Sequence, residues 1–127
     1  MIPVRKLLAG MLLVALAPCA FPAGAGDAPA LHLEAKIPLG DISGRIDHLA
    51  YDAARSRLYV AELGNDSVGI VDLGSRQLIR TVKGFDEPQG VAYELSTDTV
   101  YVANGGDGSL RLFRGADHAT QSIEIRS

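Results

Sequence analysis

Leu49-Ala50-Tyr51-Asp52 and Leu58-Tyr59-Val60-Ala61 return 42 residues later as Val91-Ala92-Tyr93-Glu94 and Val100-Tyr101-Val102-Ala103. The same shift places Gly64 on Gly106, Ser67 on Ser109, Val68 on Leu110 and Ile70 on Leu112, so the apolar positions keep their phase without a gap. All four tyrosines fall inside this pairing. A fixed period of about 40 to 45 residues marks four-stranded propeller blades, each too small to bury its own apolar faces and therefore stacked on its neighbours.

Within each copy the apolar residues alternate or run in short stretches rich in β-branched and aromatic types, and they stop at Gly, Asn and Asp. The first copy predicts strands over Asp47–Tyr51, Arg57–Glu62, Ser67–Asp72 and Gln77–Lys83. The second predicts Gln89–Glu94, Thr99–Ala103, Ser109–Arg114 and Ala119–Ile125. Asn65-Asp66 and Asp107-Gly108 suit tight turns because these residue types tolerate positive φ, while residues 52–56 and 95–98 turn at the opposite rim. Upstream, Leu31, Leu33, Ala35, Ile37 and Leu39 alternate, which predicts one further strand. The expected fold class is all-β: a partial β-propeller of one N-terminal outer strand plus two four-stranded antiparallel blades, residues 44–84 and 85–127. Tyr59 and Tyr101 are expected to fill equivalent buried slots.

Leu58-Tyr59-Val60-Ala61 and Val100-Tyr101-Val102-Ala103-Asn104 resemble the Tyr-Val-Thr-Asn (YVTN) repeat of exported bacterial β-propellers, with Ala standing for Thr in both copies. The stretches from Arg45 to Ala50 and from Glu87 to Ala92 resemble that family's blade starts. The resemblance covers residues 31–127 and implies a multi-bladed exported propeller, often without a defined activity. Similarity to the quinoprotein dehydrogenase and lactonase propellers rests on architecture alone. Closed propellers use about 4 to 8 blades, so the smallest needs roughly 170 residues, more than the 127 present. The expectation is the N-terminal part of a larger propeller, the alternatives being a ring assembled from several chains and a small independent β-sandwich.

Residues 1–25 carry Arg5 and Lys6, then the apolar run Leu7 to Ala17, Pro18 and Ala23-Gly24-Ala25. This order reads as a signal peptide cleaved after Ala25, and the run falls short of the roughly 20 apolar residues that a membrane span needs. The expected location is the periplasm or the exterior. Met1, Met11 and the single Cys19 lie in this segment, so the mature chain offers no thiolate as zinc ligand or nucleophile. Leu16-Ala17-Pro18-Cys19 departs from a lipobox at Pro18, and no lipid anchor is expected. The net charge is −3 and no Lys/Arg cluster follows Lys6, which speaks against nucleic acid or a basic membrane-binding patch.

The blade-start and second-to-third-strand loops gather Asp41, Arg45, Asp47, Glu62, Asp66, Lys83, Asp86, Glu87 and Asp107 on one rim, mostly acidic and suited to attract a cation or a basic ligand. His48, beside Asp47, opens the innermost predicted strand where a central channel would lie, with Gln89-Gly90 as its counterpart. A carboxylate beside an imidazole suits a divalent metal or proton transfer, and equally a hydrogen-bonded tie between adjacent blades. The channel or ligand-binding candidates are Arg45, Asp47, His48, Glu87 and Gln89, with Asp47 and His48 as metal candidates. His32 and His118 are expected in solvent. Asn104-Gly105-Gly106-Asp107-Gly108 reads as a turn, because a phosphate cradle needs a following helix and a Lys, and a calcium loop needs more oxygens at set spacing. No activating elbow surrounds any Ser and no Trp is present to stack a quinone, so no catalytic residue and no cofactor is assigned. The expected function is an exported repeat module that binds a protein or small-molecule ligand across a propeller face, with self-association through open blade faces. The alternative is the N-terminal part of a lactonase-like or quinoprotein dehydrogenase-like propeller enzyme.

Overall fold

In the computed structural model, residues 31–118 and 120–121 are described. They form eight strands: β1 Leu49–Asp52, β2 Arg57–Glu62, β3 Ser67–Asp72, β4 Gln77–Lys83, β5 Pro88–Glu94, β6 Thr99–Asn104, β7 Leu110–Arg114 and β8 Thr120–Gln121. These make two four-stranded antiparallel sheets, each in simple sequence order, β1-β2-β3-β4 and β5-β6-β7-β8. The fold is all-β, two successive propeller-type blades. The expected signal peptide, Cys19 and most of the final predicted strand lie outside the described residues.

The repeat is written into the turns. Left-handed φ recurs at the same place in both copies: Ser56 (52°) and Asp98 (52°), Asp66 (51°) and Gly108 (68°), Arg76 (58°) and His118 (58°). Such values reverse a hairpin with the right twist, and acidic side chains help hold them. Asp52 Oδ1 accepts from Ala54 N at 2.9 Å and Arg55 N at 3.2 Å, and Asp72 Oδ1 accepts from Ser75 N at 2.7 Å. A short 3-10 turn, Leu63–Asn65, joins β2 to β3.

Alternation places Ala50, Tyr59, Ala61, Val68, Ile70 and Val82 on one face of the first sheet, as their cross-strand register requires. The second sheet turns Val91, Tyr93, Val100, Val102 and Phe113 toward it. The core therefore sits between the blades: Tyr59, Val68, Ile70, Val82, Phe85, Val100, Val102 and Phe113 are all buried, with Ala50, Val91 and Tyr93 at the margin. Tyr59 packs on Tyr93 at 5.5 Å and edge-on to Phe113 at 6.0 Å, and Phe113 meets Phe85 at 6.3 Å.

Three expectations are corrected. Leu31–Leu39 is not a strand; Leu31 and Leu33 are 89% and 74% exposed. Alternation supplies a face preference, but a strand also needs ladder pairing with another strand, and residues 31–39 join neither sheet. Further on, residues 39–42 line one cavity with Leu78 of β4, and a Cβ on Gly40 would stand 3.9 Å from Leu78 Cδ2. β1 begins at Leu49, two residues later than predicted, although Asp47 N still bonds Ala61 O at 3.0 Å and Ala61 N bonds His48 O at 2.9 Å. Tyr59 and Tyr101 are not equivalent: Tyr59 is fully buried beneath blade 2, whereas Tyr101 is only half-buried on blade 2's other face.

Candidate functional site

The chain entering blade 1 lies against β2 and carries Arg45, Asp47 and His48 to the junction with blade 2. There, a register shift between Pro88 and Gly90 sets Gln89 apart from the regular β5 pairing. His48 Nδ1 lies 2.9 Å from Gln89 O and 3.1 Å from Asp47 Oδ1. A carbonyl oxygen can only accept, so Nδ1 carries the hydrogen and donates it, leaving Nε2 as the ring's acceptor in the neutral state. The second oxygen of Asp47 accepts from Arg45 Nη2 at 3.1 Å. Arg45, Asp47, His48 and the Gln89 backbone thus form one polar run across the junction. The His48 and Arg45 side chains are 66% and 64% exposed, so solvent screens these contacts. They position more than they stabilise.

Glu87 is not brought into that run. Its N donates to Asp66 Oδ1 at 3.0 Å, and its carbonyl accepts from Gly105 N at 2.9 Å. The Gln89 side chain lies over Gly105, where a Cβ would stand 2.7 Å from Gln89 Cδ. The glycines of this loop serve close approach, and its N–H groups are given away: Asn104 N to Ser109 O at 2.9 Å, Gly106 N to Asp86 O at 3.1 Å. Among the described residues, no three His, Cys, Asp or Glu side chains gather to hold a metal ion.

Two carboxylates of the acidic rim are drawn into contacts within the fold. Glu62 is fully buried, with Oε2 accepting from Ser67 Oγ at 2.6 Å and Oε1 without a partner. Asp107 pairs with Arg111 at 2.9 Å, and its bonds from Ser109 hold the carboxyl below the usual range. A cavity of about 320 Å³, lined by Asp41, Ile42, Ser67, Thr81 and Lys83 among others, includes none of the junction candidates.

A second polar cluster, joining both blades, lies on the opposite rim. Arg55 Nη1 donates to Asp52 Oδ2 at 2.8 Å, to Asp98 Oδ1 at 2.8 Å and to Tyr93 Oη at 3.0 Å; Tyr93 Oη donates to Asp98 Oδ1 at 3.0 Å. Asp52 is fully buried. The two carboxylates push Arg55 further above its usual range. Burial works against the charge on Asp98, but the bonds from Arg55 and Tyr93 outweigh it and hold the carboxyl low. Sequence reasoning placed these residues on one rim without pairing them. The signal was the departure from the repeat: Arg55 aligns with Thr97, and Asp98 with Ser56, so the complementary charges occur once each, across one seam. His118 is also corrected. It is half-buried, edge-on to Phe113 at 6.4 Å, and burial, followed by Arg80 and Arg57, lowers its pKa.

No protein-family model matches the chain, and no curated protein matches it in sequence. Among solved structures it is similar to hydrazine synthase of Kuenenia stuttgartiensis, with a TM-score of 0.54 and 24% identity over 61% of this chain and 24% of that one. The chain spans about a quarter of that protein's chain, and the likeness is one of fold.

Proposed function

We propose that the chain is a non-enzymatic, exported module of the YVTN-repeat type that binds its partner through a blade face. The observation behind this reading is the outer face of blade 2. Ala92, Tyr101, Ala103, Leu110 and Leu112 are the repeat counterparts of Ala50, Tyr59, Ala61, Val68 and Ile70. The first set is exposed or half-exposed, and the second is covered by blade 2. A β-sheet face of this composition is built to be covered. Of the polar residues considered for chemistry, Arg45, Asp47 and His48 are engaged with one another and with the Gln89 carbonyl at the junction of the two blades. Export follows from residues 1–25 and calls for cleavage after Ala25.

Two measurements test the reading. An apolar fluorescent dye should bind the folded chain and lose most of its signal in a Leu110→Lys/Leu112→Lys variant with unchanged circular dichroism; dye binding that ignores these substitutions refutes the face. Mass spectrometry of the exported protein should find Gly26 at the N-terminus, and retention of residues 1–25 on a cytoplasmic product refutes export.

A further inference from the structure

We infer that the outer face of blade 2 docks a second copy of this chain, head to tail, on the face of that copy's blade 1 that carries Leu49, Tyr51 and Leu58. This rests on the binding-face reading above and names its partner. The interface already present inside the chain is the template. In it, the face bearing Tyr59 receives the face bearing Val91, Tyr93 and Val100. Shifting the receiving side by one repeat gives the open face with Tyr101, Leu110 and Leu112. Shifting the incoming side back by one repeat gives Leu49, Tyr51 and Leu58. Among the described residues both surfaces are uncovered: Leu49 and Tyr51 are each 54% exposed, and Tyr101 is half-exposed. At the other end of that blade 1 face residues 39–42 approach Leu78, while Val60 and Val71 are buried and Leu49 and Tyr51 stay exposed.

Charge permits the match. The internal seam holds Arg55 against Asp98, and at the new seam both positions change together, to Thr97 on the receiving side and Ser56 on the incoming side. Docking therefore buries neither half of that pair alone, which would be costly. The remaining carboxylate, Glu94, is already bonded by Ser96 Oγ at 2.6 Å, Thr97 Oγ1 at 2.8 Å and Tyr101 Oη at 3.3 Å. His48, which ties the internal junction to Gln89, has Gly90 as its counterpart, so the new contact is apolar and lacks both polar clamps. It is weaker than the internal interface, and because its two sides differ, it propagates as a ring or a stack and not as a two-fold dimer.

The test uses two variants of the full chain. One blocks the receiving face, Tyr101→Lys/Leu112→Lys; the other blocks the incoming face, Leu49→Lys/Tyr51→Lys. Sedimentation of the unaltered chain should show a mass that rises with concentration to at least twice the monomer's. Each variant alone should stay monomeric with the same circular dichroism. An equimolar mixture should form a one-to-one complex of doubled mass and grow no further, since the one open face of each variant is used up and both outer faces of the complex are blocked. Restoration on mixing also shows that both variants are folded. The inference is overturned by a monomeric unaltered chain, by self-association of either variant alone, or by a mixture that stays monomeric. If the chain is monomeric yet still binds the apolar dye at Leu110 and Leu112, only the choice of partner falls, and the binding-face reading stands.

Discussion

Removing one oxygen atom from Tyr59 should make this protein more stable. The Tyr59 ring is fully buried between the blades, against Tyr93 and Phe113, and its hydroxyl is buried without a hydrogen-bond partner. Leaving a buried polar group unsatisfied costs about 1–3 kcal/mol, whereas a made hydrogen bond contributes about 1 kcal/mol. Tyr59→Phe keeps the ring and deletes the unsatisfied group, so a gain of about 1 kcal/mol is expected after allowing for the small void. Tyr59→Ala, by contrast, empties the centre of the core and should cost about 3–5 kcal/mol. Tyr101→Ala, at the repeat-equivalent but half-exposed position, should cost about 1 kcal/mol. Urea unfolding followed by circular dichroism reads all three. Burial also pushes the Tyr59 hydroxyl up to about 12. A raised folded pKa means stability that is intact below the unfolded value near 10 and lost as pH rises toward 12, and Tyr59→Phe should remove this alkaline loss. A loss of 1 kcal/mol or more (about that size) in Tyr59→Phe would show that the hydroxyl has a partner. Equal costs for Tyr59→Ala and Tyr101→Ala would refute the asymmetry between a covered and an open blade face.

Arg55→Ala strands the buried Asp52 and should cost about 2 kcal/mol by thermal or urea unfolding; a change within experimental scatter would sink the clamp. Asp98, Asp107, Asp72 and Glu94 are all held below their usual range by hydrogen bonds, against the opposing effect of burial. Depressed carboxyl pKa values contribute stability above the unfolded values near 4, lost as pH falls through the folded ones. The lowered His118 adds a loss that begins below about 6.5, where the unfolded ring takes a proton first. A melting temperature unchanged from pH 7 down to 3 contradicts both. Gly105→Ala should destabilise the junction by displacing Gln89, about 1–3 kcal/mol as for other overpacking, and pairing it with Gln89→Ala should recover most of that loss if the clash is the cause.

Much of the fold was legible before any coordinates because it is encoded locally. Strand periodicity and turn chemistry act over neighbouring residues, and the repeat of 42 supplies two readings of one pattern. β2, β3 and β4 fall where the apolar phase puts them, and the left-handed turn positions recur in register. Alternation also separates the Tyr59 face from the Val60 face without knowledge of what covers either. The sequence could not decide coverage, since burial depends on which surface arrives from elsewhere in the chain. Tyr59 and Tyr101 share a motif and a phase, yet one lies under Tyr93 and Phe113 and the other faces outward. The Leu31–Leu39 alternation promised a strand that no edge among the described residues completes. Arg55 and Asp98, 43 residues apart, meet because sheet stacking brings two turns to one rim. His48 could be placed beside Asp47 by sequence, but only the seating of blade 2 set its Nδ1 on the Gln89 carbonyl. The backbone hydrogen bonds within a blade follow from short-range pattern. The pairing of faces, and of the charges along their rims, follows only from tertiary packing, because those contacts join residues a whole repeat apart.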